Sequence, residues 1–223
     1  MHLRKIIVAA AVPLLWQTVL SAQNPFYVYH AFHSPDNHFV PSGWMGDYGD
    51  IRLDDHWQPK GEANAKTVIR IAYSAESKQQ NGWAGIYWQN PPNNWASRPG
   101  GYNLNGMTKL VLKARGEKGG EKIEEFKVGG LTGDYADSAT ASIGPIILAK
   151  NWKEYEIPLD EQELSSITGG FCWTIDRAGN PDGAASQVQC GVERAFEASG
   201  DVVGQVETAL LLAGRIPIDH QRP

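Results

Sequence analysis

From about residue 38 to residue 176 the chain is a succession of short runs that alternate apolar and polar side chains. Turns rich in glycine, proline and asparagine separate many of these runs. Residues 67–73 (TVIRIAY) set Thr67, Ile69, Ile71 and Tyr73 against Val68, Arg70 and Ala72. Residues 83–89 (WAGIYWQ) place Trp83, Gly85, Tyr87 and Gln89 on one face and Ala84, Ile86 and Trp88 on the other. Residues 109–114 (KLVLKA) gather Leu110, Leu112 and Ala114 opposite Lys109, Val111 and Lys113. The runs 123–128, 145–148, 155–159 and 171–175 are of the same kind, rich in β-branched and aromatic residues. Pro91-Pro92-Asn93-Asn94, Pro99-Gly100-Gly101, Gly119-Gly120, Gly129-Gly130 and Gly169-Gly170 punctuate them. A period of two residues, repeated this often and without helical periodicity before the tail, dictates an all-β sandwich or jelly roll.

The chain opens with Arg4 and Lys5, an apolar run from Ile6 to Leu15, and then Ser21 and Ala22. That is the layout of a secretory signal peptide over 1–22, too short for a membrane span. About 200 residues follow, enough for one sandwich domain. The expected divisions are a mobile N-terminal segment at 23–37, the sandwich at 38–183, and a divergent tail at 184–223. The formal charge is −5, and discounting Arg4 and Lys5 takes it to −7. Such a surface repels phosphate, so nucleic acid is not an expected partner, and no membrane is expected after signal cleavage. The two cysteines, Cys172 and Cys190, do not make a disulfide scaffold; whether they pair, their spacing does not decide.

Residues 81–101 (NGWAGIYWQNPPNNWASRPGG) carry the densest chemistry. Four large rings, Trp83, Tyr87, Trp88 and Trp95, stand among amides with one charged side chain, Arg98. An aromatic ring covers the C–H face of a sugar while Asn and Gln pair with its hydroxyls, so the segment is a candidate carbohydrate-binding surface. Its residues are Trp83, Tyr87, Trp88, Gln89, Asn93, Asn94 and Trp95. The competing reading is that the rings fill a β core. Alternation leaves open which face of 83–89 points outward. Trp95, in a loop stiffened by Pro91 and Pro92, is the leading contact, with the alternative that it folds back onto the sandwich.

Six segments occur in order: PSGWMGDYGDI (41–51), WAGIYWQNPPNNW (83–95), ARGEKGGE (114–121), FKVGG (126–130), NWKEYEIPL (151–159) and GGFCWTI (169–175). Together they resemble secreted or periplasmic domains with the galactose-binding-like β-sandwich, a jelly roll used by many carbohydrate-binding modules. The resemblance spans 39–183. It implies a jelly-roll fold and a carbohydrate partner. Similar domains close with a strand of the type aromatic-aliphatic-Asp-Asp-Ile after an Asn-Pro-Asp-Gly turn. Here Asn180-Pro181-Asp182-Gly183 is followed by Ala184-Ala185-Ser186-Gln187. Val188, Val192 and Phe196 then recur at four-residue spacing, and Val202, Val206, Ala209 and Leu210 share one helical face. The tail therefore reads as a helical or irregular replacement for the last strand, or as a reading-frame or gene-model artefact.

Other polar clusters compete for attention. Trp44, Asp47, Tyr48 and Asp50, with Asp54 and Asp55 behind them, offer oxygens for a structural calcium ion, of which Asp47 and Asp50 are the candidate ligands. Glu117 and Glu121, beside Arg115, form a conceivable glycosidase acid pair, although a turn such as GEKGGE ordinarily turns its charges to water. Asp134, Asp137 and Ser138 make a polar loop, and His30, His33 and His38 sit ahead of the sandwich. No Gly-x-Ser-x-Gly elbow, Cys-x-x-Cys pair, His-Glu-x-x-His motif or phosphate loop occurs. The expected function is a secreted noncatalytic carbohydrate-binding sandwich. The alternatives are a polysaccharide hydrolase or lyase using Glu117, Glu121 or Asp134, and a cell-surface interaction domain.

Overall fold

The computed structural model describes residues 26–59 and 68–193; the expected signal peptide and the tail beyond 193 lie outside them. In chain order the strands are β1 (Phe26–Tyr29), β2 (Val40–Gly46), β3 (Ile51–Trp57), β4 (Val68–Tyr73), β5 (Trp83–Gln89), β6 (Lys109–Gly116) and β7 (Lys122–Ile123). They continue as β8 (Glu125–Gly129), β9 (Thr140–Ile143), β10 (Ile146–Ile147), β11 (Lys153–Pro158), β12 (Gly169–Asp176) and β13 (Ala184–Glu193). One six-stranded sheet runs β11-β6-β13-β4-β3, with β1 paired to β13. A five-stranded sheet runs β2-β5-β12-β8-β9, and β7 and β10 form a short ribbon. Every pairing is antiparallel.

The inner faces are those that alternation singles out. Ile69, Ile71 and Tyr73 of β4, Leu110, Leu112 and Ala114 of β6, and Val188 of β13 meet Ala84, Ile86 and Trp88 of β5 and Phe171, Trp173 and Ile175 of β12 in one core. Trp88 and Phe171 lie with ring centroids 5.2 Å apart, and Phe126 stacks on Phe171 at 5.7 Å. The fold is thus the expected two-sheet jelly roll.

Two boundaries are corrected. Residues 184–193, expected as the start of a helical or irregular tail, form β13 in the middle of the six-stranded sheet. Val188 opposes both Ala114 and Ile69, and Val192 opposes Leu110. Four-residue spacing is ambiguous: residues four apart share a helix face, but an even separation also puts them on one strand face. The Asn-Pro-Asp-Gly turn therefore does lead into a closing strand. At 23–37, expected as mobile, Phe26–Tyr29 pairs with β13 and Phe26 stacks on His38 at 3.8 Å. The Asn37 side chain then bridges the turn, accepting from His30 N (2.7 Å) and donating to Ala31 O (2.8 Å).

Of the other strands that alternation did not reveal, β2, β3 and β9 are edge strands. Edges carry proline, charge and bulges that blunt further pairing. β2 contains Pro41 and shifts register between Pro41 and Gly43, and β3 contains Arg52, Asp54 and Asp55. Their sequences therefore lack a clean apolar alternation.

Candidate functional site

Because Ala84, Ile86 and Trp88 turn inward, the opposite residues of β5, namely Trp83, Tyr87 and Gln89, stand on the outer face of the five-stranded sheet. This settles the choice between faces and corrects one candidate. Trp88 is core, 1% exposed against Phe171, and reaches no ligand.

The outer face is open at one end and covered toward the other. At the open end Trp83 is 40% exposed. It borders a cleft of about 370 Å³ shared with Met45, Lys127, Thr174 and the carboxylates of Glu124, Glu125 and Asp176. Lys127 Nζ holds Glu125 Oε2 at 2.9 Å and lies 5.6 Å from the Tyr87 ring centre. Gly46 passes beneath Trp83 with φ +60°; a Cβ there would stand 2.3 Å from the Trp83 carbonyl oxygen, so only glycine fits. The apolar ring beside acceptors and an ammonium donor is a surface that a polyhydroxylated molecule can cover.

In the middle, Tyr87 is sealed. It packs with Cys172, Ala96 and Leu131 in a second small apolar cluster, and its hydroxyl donates to Gly129 O at 3.0 Å. Burial pushes the Tyr87 phenol far above its ordinary value and the free Cys172 thiol up to about 12, so neither ionises near neutrality. Gln89 is likewise enclosed: its Oε1 accepts from Ser42 Oγ (2.9 Å) and its Nε2 donates to Asn94 O (3.2 Å). Asn94 is fully buried, donating to Arg98 O (2.9 Å) and accepting from Ser97 N (3.2 Å). Tyr87, Gln89 and Asn94 thus shape the surface from below instead of forming it.

At the far end the 90–100 loop lifts Trp95 into solvent at 38% exposure. Its ring and that of Tyr87 meet at 6.1 Å, nearly perpendicular, and its Nε1 donates to Asn93 Oδ1 at 3.1 Å. Asn93 is held in turn by its own N–H on Ser42 Oγ (2.8 Å). Trp95 therefore does both things foreseen for it, packing against Tyr87 of the sandwich while staying partly exposed.

No protein-family model matches the chain. No curated protein matches it either. Solved structures do. A family 30 carbohydrate-binding module superposes with a TM-score of 0.52 at 13% identity, covering 83% of this chain and 96% of its own. A family 11 carbohydrate-binding module of a cellulosomal cellulase from Clostridium thermocellum gives 0.50 at 14% identity, over 80% of this chain and 99% of its own. A family 30 module of another cellulosomal cellulase from that organism gives 0.50 at 13%, over 78% and 99%. The fold is that of the carbohydrate-binding-module jelly rolls.

Within this jelly roll the acidic clusters have structural duties. Asp47, a candidate calcium ligand, is buried, and its oxygens accept from Gln79 N (2.9 Å), Asn81 N (2.9 Å) and Gly82 N (2.7 Å). Burial alone raises its pKa, but these donors outweigh it and hold the carboxyl below its ordinary value. Asp50 Oδ2 accepts from Ser77 N (2.7 Å), and Lys78 Nζ lies 3.6 Å from its Oδ1. The two acids anchor the loop before β5; the positive partners they meet are N–H groups and a lysine. Asp54, Asp55 and His56 on β3 gather ligand atoms within 4.8 Å of one another, though His56 was not read from the sequence as a ligand. They already bond each other: Asp54 Oδ1 accepts from His56 N (3.0 Å), and Asp55 lies 2.8 Å from His56 Nδ1.

Glu117 and Glu121 border a different cleft, about 490 Å³, at the turn end of the six-stranded sheet. Glu117 is held by Arg70 Nε at 3.0 Å, and buried Glu121 accepts from Lys118 N at 2.7 Å. Arg115 donates to Gln187 Oε1 at 3.0 and 2.9 Å and lies over Trp152, its guanidinium carbon 4.5 Å from the ring centre. In the polar loop, Asp137 accepts from Thr168 N (2.5 Å) and Leu131 N (3.0 Å), and Ser138 Oγ donates to Glu163 O (2.7 Å). That loop is clasped to the sheet; Asp134 alone of its acids is exposed.

Proposed function

We propose that this domain is a secreted, noncatalytic carbohydrate-binding module that holds a polysaccharide or glycan on the outer face of its five-stranded sheet. Trp83 and Trp95 supply stacking surfaces, and Asn93, Lys127, Glu125 and Thr174 supply donors and acceptors. The observation that carries the reading is Trp83, a large ring left 40% exposed over a polar-rimmed cleft on a rigid strand. Trp88 and Trp173 are turned inward, whereas Trp83, like Trp44 and Trp95, keeps part of its ring in solvent, and of these Trp83 is the one that borders the cleft. The shared fold with carbohydrate-binding modules supports the same reading. The leader-like sequence from Arg4 to Ala22 supports export.

Binding of this kind combines ring contact with water-shared hydrogen bonds, so its affinity is modest. The test is retardation of the protein in native gels cast with a panel of polysaccharides. Retardation on at least one of them, with no new reducing ends after prolonged incubation, is the expected result. Release of reducing ends would replace this reading with a hydrolase or lyase. Unretarded migration on every polymer would leave an interaction domain whose rings serve other partners.

A further inference from the structure

Resting on that reading, we infer that the outer face has two separate aromatic poles, and that its ligand is one long unbranched chain lying along β5 and touching both. The first pole is Trp83 with its cleft. The second is built by two loops distant in sequence, with Trp95 on the 90–100 loop and Tyr135 on the 130–138 loop. Tyr135 is 47% exposed.

The second pole is prearranged. Tyr135 N donates to Ala96 O at 3.0 Å, which joins the two loops next to Trp95. Gly133 lies so close to Ala96 that a Cβ on it would stand 2.6 Å from the Ala96 carbonyl oxygen. Asp137 fastens the second loop to Thr168 and Leu131, and Asn93 holds the Trp95 indole. Exposed rings on loops held this firmly lose little freedom when a ligand covers them. Exposed Asn93, Arg98 and Asp134 lie on the same two loops, a mixture of stacking and polar groups like that at the first pole.

The separation follows from the strand. Trp83 and Tyr87 are four residues apart on β5, about 13 Å at the rise of a β-strand. Trp95 lies 6.1 Å from Tyr87, centre to centre. Between the poles Tyr87, Cys172 and Leu131 are covered and offer no aromatic face. A mono- or disaccharide therefore occupies one pole only, whereas a chain of several sugars reaches both. The second contact is then intramolecular, and a gain of about a hundredfold is expected once the chain spans the gap.

The experiment is calorimetric titration of the mature protein with ladders of linear cello-oligosaccharides and xylo-oligosaccharides, repeated for Trp83→Ala, Trp95→Ala, Tyr135→Ala and Tyr135→Phe. Expected for the wild type is weak binding of the shortest members and a steep rise at intermediate length, followed by a plateau. Tyr135→Ala should remove most of that rise while the shortest members still bind at the Trp83 pole, and Tyr135→Phe should restore it. Tyr135 is 47% exposed, so its variants are expected to stay folded even if Trp95→Ala loosens the Tyr87 cluster. A length profile unchanged in Tyr135→Ala and Trp95→Ala, but abolished in Trp83→Ala, would overturn the second pole and leave the proposed function standing. Absence of binding to every member of both ladders by a protein that native gels show retarded on a polysaccharide would overturn the single-chain inference alone; the proposed function falls only if no polymer of the panel retards it.

Discussion

Trp83→Ala is the substitution on which the functional reading stands or falls. A tryptophan side chain presents about 150–250 Å². With 40% of the residue exposed, something on the order of 80 Å² is available for a ligand to cover. At about 25 cal/mol per Å², that cover is worth about 2 kcal/mol, or roughly a thirtyfold change in Kd. The covered part of the ring packs over Gly46, so the fold also loses some support, about 1–3 kcal/mol, which leaves a domain of ordinary stability folded. The measurement is Kd by calorimetry on the polysaccharide that retards the wild type, at a temperature where circular dichroism shows the variant native. An affinity within twofold of the wild type would refute the assignment of this cleft, because no rearrangement of neighbouring side chains replaces an indole face.

Three further outcomes follow from the same packing. Trp88→Ala removes the largest core ring on β5 and should destabilise the fold by about 3–5 kcal/mol in urea unfolding, more than Trp83→Ala on the outer face. Gly46→Ala forces a left-handed residue against the Trp83 backbone; it should lower stability by about 1–3 kcal/mol and weaken binding together, whereas a loss of stability alone would separate Gly46 from the site. Asp47 has its folded pKa held below the ordinary carboxylate value. Its contribution to stability is therefore complete above that ordinary value and is lost as pH falls through the folded value. Thermal melting against pH should accordingly show an acid limb that flattens in Asp47→Asn, and an unchanged limb would remove Asp47 as the loop anchor.

Much of the candidate site was visible in residues 83–95, but not the job of each side chain. Trp83, Trp95 and Asn93 keep the surface roles their residue types suggest. Gln89 and Asn94 were attractive as amides for hydroxyls, yet their hydrogen bonds go to Ser42, Ser97, Arg98 and each other's segment. A side-chain amide satisfies a loop's backbone as readily as it does a sugar, and composition does not distinguish the two. Tyr135 lies between Asp134 and Asp137 of the polar loop. Its partner Ala96 lies about 40 positions earlier, and nothing local to either residue links them.

What the amino-acid order determined by itself was the set of alternating strands, the turns between them and, for each strand, the pairing of residues into two opposed faces. A period of two follows from backbone geometry and needs no partner. It leaves undetermined which face is inward, since that depends on where the second sheet lies. Only the packed structure decided that Trp88 is filling and Trp83 is surface, that β13 belongs between β6 and β4, and that Tyr87 is roofed by Ala96 and Leu131. Each of these is a contact between segments far apart in the chain, formed because burying one apolar face requires another to meet it.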